Sequence, residues 1–181
     1  MLLCTRLFAA FFGVVCSLSA FAASLPMPKV GDLAPDFSLI GNKGEAVTLS
    51  QFKNKKTVVL YFYPKDRTPG CTTEAESFTE DFERFEKAGA VVLGVSLDDV
   101  EQHKSFVSRS KLKHTLLADI GGKVASSYGV MGWIMAKRVT FVIGLDGLVK
   151  HVFNDVNVTD HSKAVLKVVQ ALNGPVSTQN P

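Results

Sequence analysis

The chain is predicted to be an α/β domain: a central mixed β-sheet flanked by helices, with a short N-terminal hairpin. Three observations carry this. Residues 57–63 (Thr57-Val-Val-Leu-Tyr-Phe-Tyr63) and residues 90–96 are unbroken apolar runs, the pattern of strands covered on both faces. Helical patterns alternate with these strands, which favours parallel pairing through crossovers. The last two strand patterns, 138–143 and 148–153, flank Asp146-Gly147, a hairpin signal that adds an antiparallel part.

The elements follow in order. Residues 36–40 and 46–49 flank a glycine turn at 41–44 and read as the small hairpin, and residues 50–53 as a short turn of helix. The central strand ends at Pro64, which cannot donate to the next ladder position. A helix is expected from Pro69 to about Lys87, with Phe78, Phe82 and Phe85 as its buried stripe and Gly89 as its stop. After the second strand, Asp98-Asp99 caps a helix over 100–110. Residues 114–118 form a third strand nearer an edge, and a short helix over 122–128 closes at Gly129. A last helix over 161–172 presents Val165, Val168, Val169 and Leu172.

Residues 1–22 read as a cleaved secretory signal: one early positive charge, an apolar stretch over 7–18, and Ala20-Phe21-Ala22 with small residues at the positions a signal peptidase reads. The alternative is an uncleaved anchor, although the apolar run is short for a bilayer span. The mature domain is placed at 23–174, with a disordered tail at 175–181. Export across the inner membrane or into the secretory pathway is expected, to a periplasmic, extracellular or luminal compartment with the periplasm favoured, and no membrane association after signal removal. Of 181 residues three are cysteines, Cys4, Cys16 and Cys71. Two leave with the signal, so one thiol remains in an oxidising compartment and no internal disulfide can form. The net charge is only +3, the basic residues form no stripe, and nucleic acid is not an expected partner.

Chemistry concentrates where the central strand meets its helix. Thr68 reads as N-cap and Pro69 as the first helical residue, which puts Cys71 in the first turn. Free backbone N–H groups and the positive end of the helix dipole favour a thiolate there. The carboxyl end of a strand is also where α/β sheets carry their sites.

The stretch Tyr63-Pro-Lys-Asp-Arg-Thr-Pro-Gly-Cys-Thr-Thr-Glu-Ala75 resembles the peroxiredoxins, on a thioredoxin-like fold, in the bacterioferritin-comigratory-protein/peroxiredoxin Q branch. Supporting segments are Gly94-Val-Ser-Leu-Asp98, His103-Lys-Ser-Phe106, Leu116-Leu-Ala-Asp119, Tyr128-Gly-Val130 and Arg138-Val-Thr-Phe141, so the resemblance spans about residues 29–172. It implies a thiol-dependent peroxidase of hydrogen peroxide and organic hydroperoxides. Cys71 would be the peroxidatic cysteine, oxidised to a sulfenic acid. Thr68 would hold peroxide and thiolate together, Pro64 would shield the site from water, and Arg138 would lie over the thiolate. Glu74 would orient that arginine, or be only an ordinary acid near the helix start. Lowering a thiol pKa from about 8.5 to about 6 raises the thiolate at pH 7 only some 30-fold. The larger acceleration must come from charge stabilisation at the leaving oxygen, for which Arg138 and the N–H groups near Gly70 and Cys71 are the candidates.

Two departures from the branch matter. Many members of the branch carry a resolving cysteine five residues after the first; here that position is Glu76 and no other cysteine of the expected mature chain replaces it, so a 1-Cys mechanism is expected. An external thiol, from glutathione or a thioredoxin- or glutaredoxin-like protein, would recycle Cys71. Arg67 occupies a loop position usually acidic or small, and is expected to lower the thiol pKa modestly further. Trp133, between Met131 and Met135, reads as packing or as lining of the peroxide pocket. The four histidines are dispersed without metal-ligand spacing, and neither metal nor cofactor is expected. A monomer is expected because the sequence leaves no unusual apolar stripe over for an interface. A thiol–disulfide oxidoreductase would need a second cysteine near Cys71, which is absent. The remaining alternative is a non-enzymatic redox sensor or holdase using the single thiol.

Overall fold

Strand β3 (Thr57–Phe62) is buried along its whole length, and its side chains divide by parity. Val58, Leu60 and Phe62 enter one hydrophobic cluster, and Val59, Tyr61 and Tyr63 enter another on the opposite face. That division makes it a central strand of a layered domain. The structure, a computed structural model, describes residues 26–174. The expected signal (1–22), with Cys4 and Cys16, and the expected tail (175–181) lie outside the described residues.

The other elements are β1 (Ser38–Gly41), β2 (Ala46–Thr48), α1 (Pro69–Glu80), α2 (Phe82–Lys87), β4 (Ala90–Ser96), α3 (Val100–Ser110), β5 (Thr115–Ala118), α4 (Lys123–Ser127), β6 (Val139–Ile143), β7 (Val149–Phe153) and α5 (His161–Asn173). A single 3-10 turn, Leu49–Phe52, follows β2. One seven-stranded sheet runs β2-β1-β5-β4-β3-β6-β7. Strands β3, β4 and β5 are parallel; β6 is antiparallel to β3 and β7 to β6. Apolar residues of α1, α2, α3 and α5 pack on one face, and those of α4 with Ala34, Phe37 and Leu49 on the other. This is the expected mixed sheet flanked by helices.

Four local expectations are corrected. The helix expected over 69–87 is two helices, broken at Asp81, whose ψ of 3° leaves the helical range. The Asp81 carboxylate accepts from Arg84 at 2.6 Å and from Ser162 Oγ of α5 at 2.8 Å. Phe78 and Phe85 remain fully buried, while Phe82 sits half-buried. Strand β5 is interior, because β1 pairs with it antiparallel (Ile40 opposite Ala118). The buried face of α5 uses Leu166 rather than Leu172, which is exposed.

The fourth concerns Trp133. It packs on nothing: it is 99% exposed, and Ile134 is 75% exposed. The expectation of packing or pocket lining fails there. So does the premise of the expected monomer, since apolar surface is left over.

Candidate active site

Backbone geometry mounts Cys71 at a helix start. Tyr63 N–H still bonds Val95 O at 3.1 Å, Pro64 ends the ladder, and Arg67 adopts a left-handed φ of 61° that turns the chain into α1. Thr68 is the N-cap by backbone conformation, with Pro69 at the first helical position. The Thr68 hydroxyl does not cap the helix; it donates to Lys65 O at 3.2 Å, which leaves its lone pairs free to accept. Cys71 is the third helical residue, and it and Gly70 have no preceding turn of carbonyls to bond. The residue is buried, 2% exposed.

The loop is held from below by buried polar groups. Asp66 accepts from Tyr63 OH at 2.7 Å and pairs with His103 Nδ1 at 2.9 Å. Asp66 N–H donates to Asp98 Oδ2, which also accepts from Ser96 Oγ at 2.7 Å. These partners lie far apart in sequence, and no spacing signal announces them, although His103 and Asp98 fall in segments quoted above. Burial raises the Tyr63 pKa well above its ordinary value, followed by the nearby Tyr61 and Asp66, so the phenol remains a donor.

Arg138 reaches Cys71 from the other side of the sheet's end. It directly precedes β6, and Val139 stands opposite Phe62, the last residue of β3. That register brings the arginine over the helix start. Its Nη2 donates to Cys71 Sγ at 3.2 Å, and its Nη1 donates to Glu74 Oε2. Glu74 lies in the second turn of α1 and is fully buried. A cysteine sulfur, an arginine and a carboxylate therefore form one chain of contacts. A Cβ on Gly70 would stand 3.6 Å from Arg138 Nη2, an ordinary contact, so Gly70 is near the cation without being required by it.

Charge in this cluster is finely balanced. Burial pushes the Glu74 carboxyl up to about 7, against the lowering effect of Arg138. Burial alone would lower the Arg138 pKa, but Glu74 and Cys71 outweigh it and raise it. Glu74 Oε1 has no hydrogen-bond partner; His161 Nε2 stands 3.9 Å away and bonds Thr140 Oγ1 at 2.7 Å. Burial, then the Arg138 cation, push His161 down to about 4, so this ring is neutral at pH 7. His161 and Thr140 were not singled out from sequence; α5 brings the histidine in.

Most of the chain matches a known family. The AhpC/TSA family model covers residues 30–152. The chain belongs to the AhpC/TSA family, in its peroxiredoxin Q/bcp branch. It is 42% identical over 146 residues to a chloroplastic peroxiredoxin Q of Oryza sativa subsp. japonica, covering 78% of this chain and 67% of that one. The crystal structure of the peroxidoxin BcpB from Mycobacterium tuberculosis superposes with a TM-score of 0.76 at 34% identity, covering 80% of this chain and 98% of that one. A Xylella fastidiosa PrxQ mutant structure gives 0.76 at 32% identity, covering 80% and 96%.

This peroxiredoxin has the thioredoxin-like fold and is a thiol-dependent peroxidase by family. Cys71 is the one cysteine among the described residues, and Glu76, five residues further along α1, is exposed. With its thiol buried, Cys71 presents no surface for a disulfide between two chains in this conformation. Among the described residues no three His, Cys, Asp or Glu side chains gather as a metal site, and no helix is long and apolar enough to cross a membrane.

Proposed function

We propose that this peroxiredoxin reduces hydrogen peroxide and organic hydroperoxides at Cys71 by a 1-Cys cycle recycled by an external thiol. The observation that carries the reading is the bond from Arg138 Nη2 to Cys71 Sγ at 3.2 Å, with the other arm of the same arginine held by Glu74.

The Cys71 thiolate attacks the terminal peroxide oxygen. A sulfur–oxygen bond forms, the oxygen–oxygen bond breaks, and an alkoxide or hydroxide leaves and takes a proton. Sulfur loses two electrons and the peroxide gains them. Arg138 and the N–H groups of Gly70 and Cys71 stabilise charge moving onto the leaving oxygen. The Thr68 hydroxyl, its proton engaged by Lys65 O, accepts from the peroxide O–H and aligns it with sulfur. Pro64 narrows the mouth and excludes water. Glu74 fixes the arginine's fork, a task for which lysine is a poor substitute. An external thiolate then displaces hydroxide from the sulfenic sulfur, and a second thiol frees Cys71 as the external disulfide forms. Glutathione or a thioredoxin- or glutaredoxin-like protein of the periplasm fits this step.

The test is stopped-flow mixing of reduced protein with hydrogen peroxide and an organic hydroperoxide, then mass mapping. Fast second-order oxidation, lost in Cys71→Ser, with one sulfenic acid per chain and many turnovers when thiol is supplied, is the expected result. An intramolecular disulfide would refute the 1-Cys cycle. A single oxidation without turnover would favour a redox sensor or holdase, the reading that the burial of Cys71 itself supports.

A further inference from the structure

His103 of α3 is fully buried, yet only one of its ring nitrogens is used. Its Nδ1 stands 2.9 Å from Asp66 Oδ2, while its Nε2 is buried and meets no partner. The direction of the first contact is fixed. Asp66 Oδ1 already accepts from Tyr63 OH at 2.7 Å, and a carboxylate can only accept, so Nδ1–H donates. An unpaired buried nitrogen is unfavourable, and it persists where the other nitrogen's bond offsets it.

That bond matters because of the loop to which Asp66 belongs. Beyond Tyr63, whose N–H bonds Val95 O, residues 64–68 leave the sheet and carry Pro64 and Thr68 toward Cys71. Tyr63 OH and His103 Nδ1 hold the Asp66 carboxylate, and the Asp66 N–H donates to Asp98 Oδ2, which Ser96 Oγ braces. These ties come from the end of β3, from α3 and from the end of β4, and all five residues are buried. Two residues after Asp66, Thr68 Oγ1 donates to Lys65 O within the same loop. Arg67 lies between them at a φ of 61°, so a rotation at Asp66 swings Thr68. Arg138 and Glu74 approach Cys71 by another route, and among the described residues no side-chain hydrogen bond joins that pair to the Asp66 group.

We infer that His103 is a positioning residue for peroxide reduction: through Asp66 it holds Thr68 and Pro64 against the Cys71 sulfur, while Arg138 and the helix start separately set the thiolate. The inference rests on the peroxide step proposed above. The two tasks leave different traces. Charge on sulfur affects every electrophile, whereas alignment by Thr68 affects only a peroxide.

The test compares two reactions of the reduced full protein, each variant shown to be folded by urea unfolding. His103→Leu should slow the second-order step with hydrogen peroxide by about tenfold or more, since a misplacement of about 1 Å can cost about 10²-fold. Alkylation of Cys71 by iodoacetamide should stay within about twofold, with its pH midpoint unmoved, because the thiolate is untouched. The unpaired nitrogen then decides which substitution rescues. The amide nitrogen of asparagine lies as many bonds from Cα as Nδ1, and that of glutamine as many as Nε2. His103→Asn should therefore recover the peroxide rate to within about threefold of the parent by keeping a donor for Asp66, and His103→Gln should not. Should His103→Leu fail to fold, Tyr63→Phe removes the donor to the other Asp66 oxygen and should likewise slow peroxide but not alkylation. An unchanged peroxide rate, a parallel change in alkylation, or rescue by glutamine rather than asparagine would each overturn the inference. A parent protein no faster with peroxide than a free thiolate would instead overturn the proposed function.

Discussion

Replacing Glu74 by glutamine removes a buried charge while keeping the side chain's shape. Glu74 is fully buried, one of its oxygens has no partner, and burial lifts its pKa from 4.5 to about 7 even with Arg138 beside it. An acid whose folded value is raised holds its proton longer in the folded chain than in the unfolded one. Folding is thus favoured while the group is protonated. That advantage is complete below about pH 4.5 and is lost as pH rises through 7. The gap between the two values is worth about 3 kcal/mol, most of which falls between pH 5 and pH 8. Glutamine mimics the protonated form at every pH. Urea unfolding of both proteins across that range should show Glu74→Gln gaining about 2–3 kcal/mol relative to the parent as pH rises, at equal m-values. Parallel stability curves, differing by a constant within about 0.5 kcal/mol, would refute the reasoning that burial dominates this carboxyl. Peroxide reduction should nevertheless slow, by about tenfold, because Arg138 loses the anion that fixes its fork.

Arg138→Lys keeps the charge but loses the rigid fork whose two nitrogens reach Glu74 and Cys71 separately; the second-order peroxide step should fall by about 10² or more in stopped flow. Gly94→Ala would place a Cβ 2.6 Å from the Tyr61 ring and 2.8 Å from Leu116 Cδ2, so urea or thermal unfolding should show a loss of about 1–3 kcal/mol. Burial depresses His114 to about 3 and His161 to about 4. Their stabilising contribution is present above about pH 6.5 and is lost as pH falls toward those values, so His114→Gln should flatten the acid limb of the stability curve. Asp66→Asn removes the carboxylate that receives Tyr63 and His103, and should cost about 3 kcal/mol or more while slowing the peroxide step.

How far each element could be read follows from how local its determinants are. Strand β3 was placed to within one residue at its end because an apolar run closed by Pro64 is a local signal. Helix α3 matched its expected limits because Asp99 and Gln102 form a capping box. The break at Asp81 was missed because neither glycine nor proline marks it; the decisive partner, Ser162, belongs to the last helix. Leu166 replaces Leu172 on the buried face of α5 because the sheet, and not the periodicity alone, sets which stripe is covered. Trp133 was misplaced for a related reason. An aromatic between two methionines is core composition, and only the Met131–Ala136 ribbon, projecting from buried Val130 and Ala136, turns it outward.

The candidate site divides along the same line. Pro64, Thr68, Gly70 and Cys71 sit on one strand–loop–helix unit, whose geometry comes from proline, a cap and a helix start within eight residues. Local conformational preference suffices for that, and it was legible in the order of the residues. Arg138 reaches Cys71 and Glu74 through the pairing of β6 with β3, and His161 approaches Glu74 through the packing of α5; such contacts join residues distant in the chain. Their geometry, the burial that lifts Glu74 toward neutrality and the outward turn of Trp133 arise from which surfaces meet when the sheet closes. Solvent exclusion is a property of the assembled layers, so it has no expression in any single stretch of sequence.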